Sequence, residues 1–254
     1  FGTAHRAHAS MVAVPDAMHC KPKVAGLLLE QEIHYLADVM SSPATPFLAI
    51  LGGAKVSDKL AAIRNLLGRV DSILVGGAMA YTFLHARGDA VGASLVETDM
   101  IETAQMLMES AASEGVEICL PIDHICAQTI SKDVETRVCE IGIPRGWMGL
   151  DIGPETVADW AIRIDSARTV VWNGPVGVFE QPPFNVGTAA IAEAMAHTTK
   201  RHDATTVVGG GETAAAVEQA GFAGAISHVS TGGGASLRML EGAALPGLAS
   251  LDSA

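Results

Sequence analysis

The stretch FLAILGGAKVSDKL (47–60) decides the fold. Five apolar residues in a row are too few for a helix and suit a strand, and no polar residue alternates with them, so both faces of that strand are expected to be covered. Two glycines end the run, and helical spacing resumes behind them. The same stop recurs: SILV (72–75) runs into GGAMAYTFL, EICL (117–120) into PIDH, TVVW (169–172) into NGPVGVFE, TTVV (205–208) into GGGETAAAV, and AISHV (225–229) into STGGGASL. Strands covered on both faces and separated by helices imply an α/β fold, a six-stranded parallel Rossmann-like three-layer sandwich. Glycine at the carboxyl end of a strand lets a ligand approach bare backbone, and the helix behind it presents unpaired N–H groups to an anion. Sterics alone explain one such turn; four on one sheet edge describe a crevice for a phosphate-bearing ligand.

At 254 residues and 49% hydrophobic content the chain can bury a full core. Its net charge of -12 argues against nucleic acid or an anionic membrane as partner, so a bound anion must be held by local backbone and a few lysines. No apolar stretch approaches the roughly 20 residues of a membrane span, and there is no signal-peptide pattern. The four cysteines (Cys20, Cys119, Cys126, Cys139) show no CxxC spacing and read as reduced thiols of a cytoplasmic protein. The start FGTAHRAHAS, without an initiator methionine, reads as a piece of something longer.

Helical spacing from Val24 to Met40 is stopped by the prolines of SSPATP. Further helices are expected near 54–68, 77–87, 97–113, 154–166, 186–199, 212–220 and 233–242. Cys126 to Arg145 is the least readable stretch, with a short antiparallel excursion expected there.

Lys55 and Lys59 stand four apart at the start of an expected helix, so both ammonium groups are expected on one face, beside a dipole end that already attracts anions. A bound polyphosphate or a solvated helix face accounts for them. GGGETAAA (209–216) contains a formal GxGxxA, but no acidic residue follows in ISHVSTGGG to hold a ribose, which disfavours a nicotinamide-dependent dehydrogenase. No Gly-Lys dipeptide occurs, so a Walker P-loop is excluded. Glu212, in the first turn of its helix, suits either a helix cap or a Mg²⁺ ion carried by a nucleotide. Glu180 suits a ribose or plain solvent. His5 and His8 flank Arg6, which favours an anion contact over metal ligation.

Taken in order, HRAHAS, GGAKVSDKL, GGAMAYTFL, GLDIGPET, VVWNGPVGVFE, GGGETAAA and HVSTGGGASLRMLEG closely resemble the phosphoglycerate kinase family, from Phe1 to about Gly247. The resemblance covers the later part of such an enzyme. It implies the end of an N-terminal sugar-phosphate domain at 1–23, an interdomain helix at 24–40, a nucleotide-binding C-terminal domain at 41–242, and a tail at 243–254 packing back on the N-terminal domain. It implies a monomeric glycolytic kinase whose small-molecule substrates are ADP or ATP with Mg²⁺ and 3-phosphoglycerate or 1,3-bisphosphoglycerate, closing a hinge to join them. It places Lys55 and Lys59 on the phosphates and the phosphoryl group in flight, and Arg6, with His5 and His8, on the sugar acid. Gly76, Gly77, Gly149, Leu150, Pro175 and Val178 would line the adenine slot, with Glu180 on the ribose. Asn173 and Thr213, in the company of Gly210 and Gly211, would touch the phosphates, and Gly232, Gly233 and Gly234 would stabilise the transferring group. Two positions depart from the family pattern: Glu212 stands where Asp is more usual as the Mg²⁺-nucleotide ligand, and Arg238 where an acid is more usual. Lacking most of the sugar-binding domain, the chain is expected to bind nucleotide and to transfer almost nothing alone; the alternative is a non-catalytic nucleotide-binding module of the same fold.

Overall fold

Phe47–Leu51 (β1) runs parallel to Ser72–Val75 (β2) on one side and to Thr169–Asn173 (β7) on the other. With Glu117–Cys119 (β3), Thr205–Gly209 (β8) and His228–Val229 (β9) they form a parallel sheet in the order β3-β2-β1-β7-β8-β9. All five residues of β1 and of β7 are buried, as an unbroken apolar run requires when both faces are covered. Alternation divides them: Phe47, Ala49 and Leu51 enter one core, Leu48 and Ile50 the other. Leu51 pairs with both Val75 and Asn173, and Asn173 with Gly209, so four glycine-bearing turns end at one level. The computed structural model describes every residue except Cys20, Ile141, Ser253 and Ala254, and only the backbone of Asp38.

Helices cover both faces. Leu27–Ser41 (α2), Leu60–Leu66 (α3), Met79–Arg87 (α4), Ile101–Glu114 (α5) and Gly233–Leu240 (α9) pack on the Phe47 side. Pro154–Ser166 (α6), Val186–His202 (α7) and Gly211–Gln219 (α8) pack on the other, around Trp160 and Trp172. Two short helices, Val14–Ala17 (α1) and Pro246–Ala249 (α10), lie outside the sandwich; beside α10, Leu245 packs with Ala4, and the Gly247 N–H bonds the Ala4 carbonyl at 2.9 Å. Among the described residues no helix is long and apolar enough to cross a membrane. Cys119, Cys126 and Cys139 are free and buried, whereas the Cys20 thiol lies outside the described residues.

Several boundaries differ from the sequence expectation. The helix expected from 54 begins at Leu60, because the chain turns after Gly53 and closes a tight turn with the Lys59 N–H on the Val56 carbonyl at 3.0 Å. α2 starts at Leu27 rather than Val24: the Lys23 N–H and C=O are both taken by Asp252, at 2.8 Å each. AISHV contributes only two residues to the sheet edge, its first alanine belonging to a 3₁₀ turn at Ala223–Ala225. The excursion expected at 126–145 is larger, a three-stranded antiparallel sheet of His124–Ala127 (β4), Arg137–Cys139 (β5) and Met148–Ile152 (β6) in the order β5-β4-β6.

α2 is tied to the sheet by one buried carboxylate. Glu32 is fully buried, its Oε2 2.8 Å from His228 Nε2, while its Oε1 accepts the Thr231 N–H at 2.8 Å and hydroxyl at 2.7 Å. Burial alone would raise its carboxyl; the bonds from His228 and Thr231 outweigh this and hold it at about 2, against an ordinary 4.5. A carboxyl held low stabilises the fold above its unfolded value and loses that contribution as the pH falls. Glu32→Gln is therefore expected to lower the unfolding free energy at pH 7 by about 2 kcal/mol. The deficit should shrink as the pH drops below about 4.5, measured by urea titration at each pH; a pH-independent deficit would assign the loss to packing.

Candidate functional site

The strand order reverses between β1 and β7, where the chain leaves the sheet in opposite directions and a crevice must open at the carboxyl ends. The turns after these strands are in backbone contact. The Gly52 N–H donates to the Asn173 carbonyl and the Gly53 N–H to that of Pro175, each at 3.0 Å. A Cβ on Gly52 would lie 2.1 Å from the Pro175 oxygen, and one on Gly174 2.1 Å from the Gly52 oxygen. The turn after β2 joins them: Gly77 has φ +67, its N–H donates to the Val176 carbonyl at 3.0 Å, and a Cβ there would meet the Gly53 oxygen at 2.6 Å.

Above these turns lies a cavity of about 340 Å³. β6 supplies Met148, Gly149 and Leu150; the turn after β7 supplies Pro175, Gly177 and Val178; Gly53, Ala54, Gly77 and Ala78 complete the small-residue surface. The Val178 N–H bonds the Leu150 carbonyl at 2.8 Å, joining the first two segments. Leu95 and Ile130 line it while remaining 55% and 53% exposed, as apolar side chains awaiting a flat apolar partner would be. The carboxylates of Glu180 and Glu212 belong to the same lining. Gly76 does not: it is packed beneath, where a Cβ would press on Val176 at 2.7 Å.

Beside this slot lies a polar end. Asn173, 2% exposed at the tip of β7, accepts Lys59 Nζ through Oδ1, while its Nδ2 donors have no partner. Burial lowers the Lys59 ammonium, with the charges of Asp58, Glu212 and Glu241 pulling the other way. Lys55 is exposed in the turn ahead of α3 and forms no ion pair among the described residues. The two lysines therefore do not share a helix face, correcting the sequence expectation: Lys59 is the N-cap residue of α3 and Lys55 precedes the helix altogether.

The first turns of α8 and α9 abut at this end, a Cβ on Gly233 falling 2.8 Å from the Gly211 nitrogen. Gly210 lies against Asn173 Nδ2, at 3.5 Å from a would-be Cβ, and Gly232 caps α9. Two sets of unpaired helix N–H groups thus open beside one unpaired amide, an arrangement suited to an anion. Thr213 is buried, and its hydroxyl oxygen accepts the Gly174 N–H at 2.7 Å. Glu212 is exposed in the first turn of α8, and its carboxylate forms no hydrogen bond to that helix among the described residues. His5 Nε2 comes within 2.8 Å of a would-be Cβ on Gly234, and Arg6 Nε donates to the same nitrogen at 3.3 Å. Burial, then the charges of Arg6, Arg238 and His8, lower the His5 pKa, and its Nδ1 has no partner among the described residues. Arg6 and His8 are exposed.

Gly53, Ala54, Ala78, Leu95, Ile130, Met148 and Gly177 were not singled out by the sequence. Ala78, Met148 and Gly177 flank residues that were, Gly53 and Ala54 lie in the quoted GGAK turn, and a wider reading of those turns finds them. Leu95 and Ile130 sit in connections without periodicity, and no local signal marks them.

This geometry can be compared with known proteins. The family model described as Phosphoglycerate kinase matches residues 1–243. Phosphoglycerate kinases of Clostridium perfringens and Chloroflexus aurantiacus are 54% and 52% identical over 99% and 100% of this chain, which spans 62% and 63% of their lengths. The solved structure of phosphoglycerate kinase from Coxiella burnetii superposes with a TM-score of 0.92 at 41% identity, covering 98% of this chain and 63% of that one. Its counterpart from Pyrococcus horikoshii gives 0.85 at 32% identity. A match of this extent in sequence, joined to the same fold, means that the chain belongs to the phosphoglycerate kinase family.

Proposed function

We propose that the chain is the nucleotide-binding portion of a phosphoglycerate kinase, an enzyme that passes a phosphoryl group reversibly between 1,3-bisphosphoglycerate and ADP, giving 3-phosphoglycerate and ATP in glycolysis. One observation carries the reading: a buried asparagine amide, gripped on one side by Lys59 and unpaired on the other, beside two helix N-termini at the end of an apolar slot. Residues 1–23 then close a sugar-phosphate domain, 24–40 form the interdomain connection that carries α2 (Leu27–Ser41), 41–242 the nucleotide domain, and 243–254 a tail returning to the N-terminal domain, in a monomeric cytoplasmic enzyme.

The adenine enters between Gly149, Leu150, Pro175 and Val178, with Gly77 below, and Glu180 accepts from the ribose. Asn173 and the amides at Gly210, Gly211 and Thr213 take the phosphates. Lys59 neutralises charge on the phosphoryl group as it moves, aided by Lys55, and the N–H groups at Gly233 and Gly234 face its oxygens, that of Gly232 being donated to Ser230 Oγ at 3.2 Å. Arg6, with His5 and His8, holds the sugar acid. A loose transition state asks for alignment and charge neutralisation, and no general base is needed. Mg²⁺ suits this donor set, since one exposed carboxylate, Glu212, leaves the remaining positions to phosphate oxygens and water. Glu212 would hold it, and the chemistry it would supply there is charge neutralisation. Hinge closure against the remainder of the enzyme excludes water from the transfer.

Removing a charge that acts chiefly in the transition state should cost turnover more than affinity. In the enzyme with its N-terminal domain present, Lys59→Ala is expected to lose on the order of a hundredfold or more in kcat while ADP affinity changes little. Combination with Lys55→Ala should be non-additive. Steady-state kinetics beside ADP titration reads both; normal turnover by Lys59→Ala would remove the lysine from the chemistry.

Glu212→Asp should preserve or improve Mg-ADP affinity, and Glu212→Ala should weaken it by roughly tenfold, with the loss vanishing when ADP is titrated without Mg²⁺. An equal loss with and without Mg²⁺ would deny Glu212 its metal.

A further inference from the structure

Asp151 lies behind the slot and touches none of its space. It is 2% exposed, one residue beyond the slot-lining Leu150 on β6. Its Oδ2 accepts the N–H of Gly187, in the first turn of α7, at 2.7 Å, and its Oδ1 accepts the Ile152 N–H at 2.9 Å. Two glycines press on it: a Cβ on Gly177 would lie 2.1 Å from Oδ1, and one on Gly187 2.4 Å away. Gly177 and Val178 line the slot opposite in sequence to β6, separated from it by the whole of α6 and β7.

Capping α7 does not by itself call for this group. Asn185, a favoured N-cap residue, occupies the N-cap position and makes no capping bond; a carboxylate from a distant strand does the work instead. Two N–H donors converge on it, so an amide would turn its own donors toward one of them and an apolar side chain would leave both unpaired. The contacts of this one group span β6, the turn after β7 and α7, and the first two are the segments that line the slot.

We propose that Asp151 is the positioning residue of the adenine slot: its carboxylate binds β6 to the first turn of α7 and seats Gly177 against both, setting the gap between Gly149–Leu150 and Gly177–Val178. Burial raises its carboxyl to about 7, against the two N–H bonds that pull it down, so the fold keeps a carboxylate here at a cost. The inference rests on the nucleotide reading of the slot and adds a residue that the ligand never touches.

Its test separates the base from the phosphates. ADP and inorganic pyrophosphate are titrated calorimetrically into the unaltered chain and into Asp151→Asn and Asp151→Ser at pH 8. Loss of a charge-assisted tie in the slot is expected to weaken ADP roughly tenfold and to leave pyrophosphate within about twofold. Equal losses for both ligands, or none for ADP, overturn the inference, since a general loosening of the fold would not spare pyrophosphate. Should neither variant fold, hydrogen exchange of the Gly187 amide is followed in the unaltered chain: protection by ADP and not by pyrophosphate supports the assignment, and equal protection, or none, overturns it. An unaltered chain that binds no ADP defeats the nucleotide reading, and this inference with it.

Discussion

The backbone contact between Gly52 and the Gly174–Pro175 turn is the constraint on which the site depends. Where the sheet reverses its strand order, the turns after β1 and β7 diverge, and only residues without side chains let them touch first. A methyl group at either glycine would have to occupy the other turn's carbonyl oxygen, at 2.1 Å in each case. From that contact Gly77 closes over Gly53, Val176 is drawn against Gly76, and Asn173 is left buried at the tip of β7 with Lys59 on one side. The slot and the polar end are thus two consequences of one close approach.

The electrostatics are local in the same way. A chain of net charge -12 offers an anion no general attraction, and the polar end relies on directed donors: helix amides at α8 and α9, the Asn173 amide, and one half-buried lysine. Buried acids do the opposite task of fastening elements together. Glu32 fixes α2 to the segment leading into α9 through His228 and Thr231, and Asp151 fixes β6 to α7, each by N–H groups and neighbours that outweigh or contest the cost of burial.

The main sheet was legible because two covered faces force unbroken apolar runs, and FLAIL, SILV, TVVW and TTVV occupy the strands that the structure gives them. The second sheet was legible only as a short antiparallel excursion. β5 is exposed at two of its three residues, and β6 reads MGLDI, a glycine and an acid among apolar residues, because it lines the slot and carries a buried tie while also entering two cores. The glycine turns announced where the slot and the polar end lie, yet the spacing of Lys55 and Lys59 misled, since four residues apart means one face only inside a helix and the chain here is still turning. Leu95 and Ile130 were invisible because a slot rim assembled from separate connections leaves no period in the sequence. Asp151 stood in plain view within GLDIGPET, and its tie to Gly187 is a tertiary fact that no local pattern carries.

The central claim is that this chain holds a whole nucleotide site and only the margin of a sugar-acid site. Thermal unfolding of the chain with Mg-ADP and, separately, with 3-phosphoglycerate tests it most directly. A clear stabilisation by Mg-ADP, growing with the logarithm of its concentration, beside little or none from 3-phosphoglycerate is the predicted result. Comparable shifts from both ligands, or none from Mg-ADP, would contradict it.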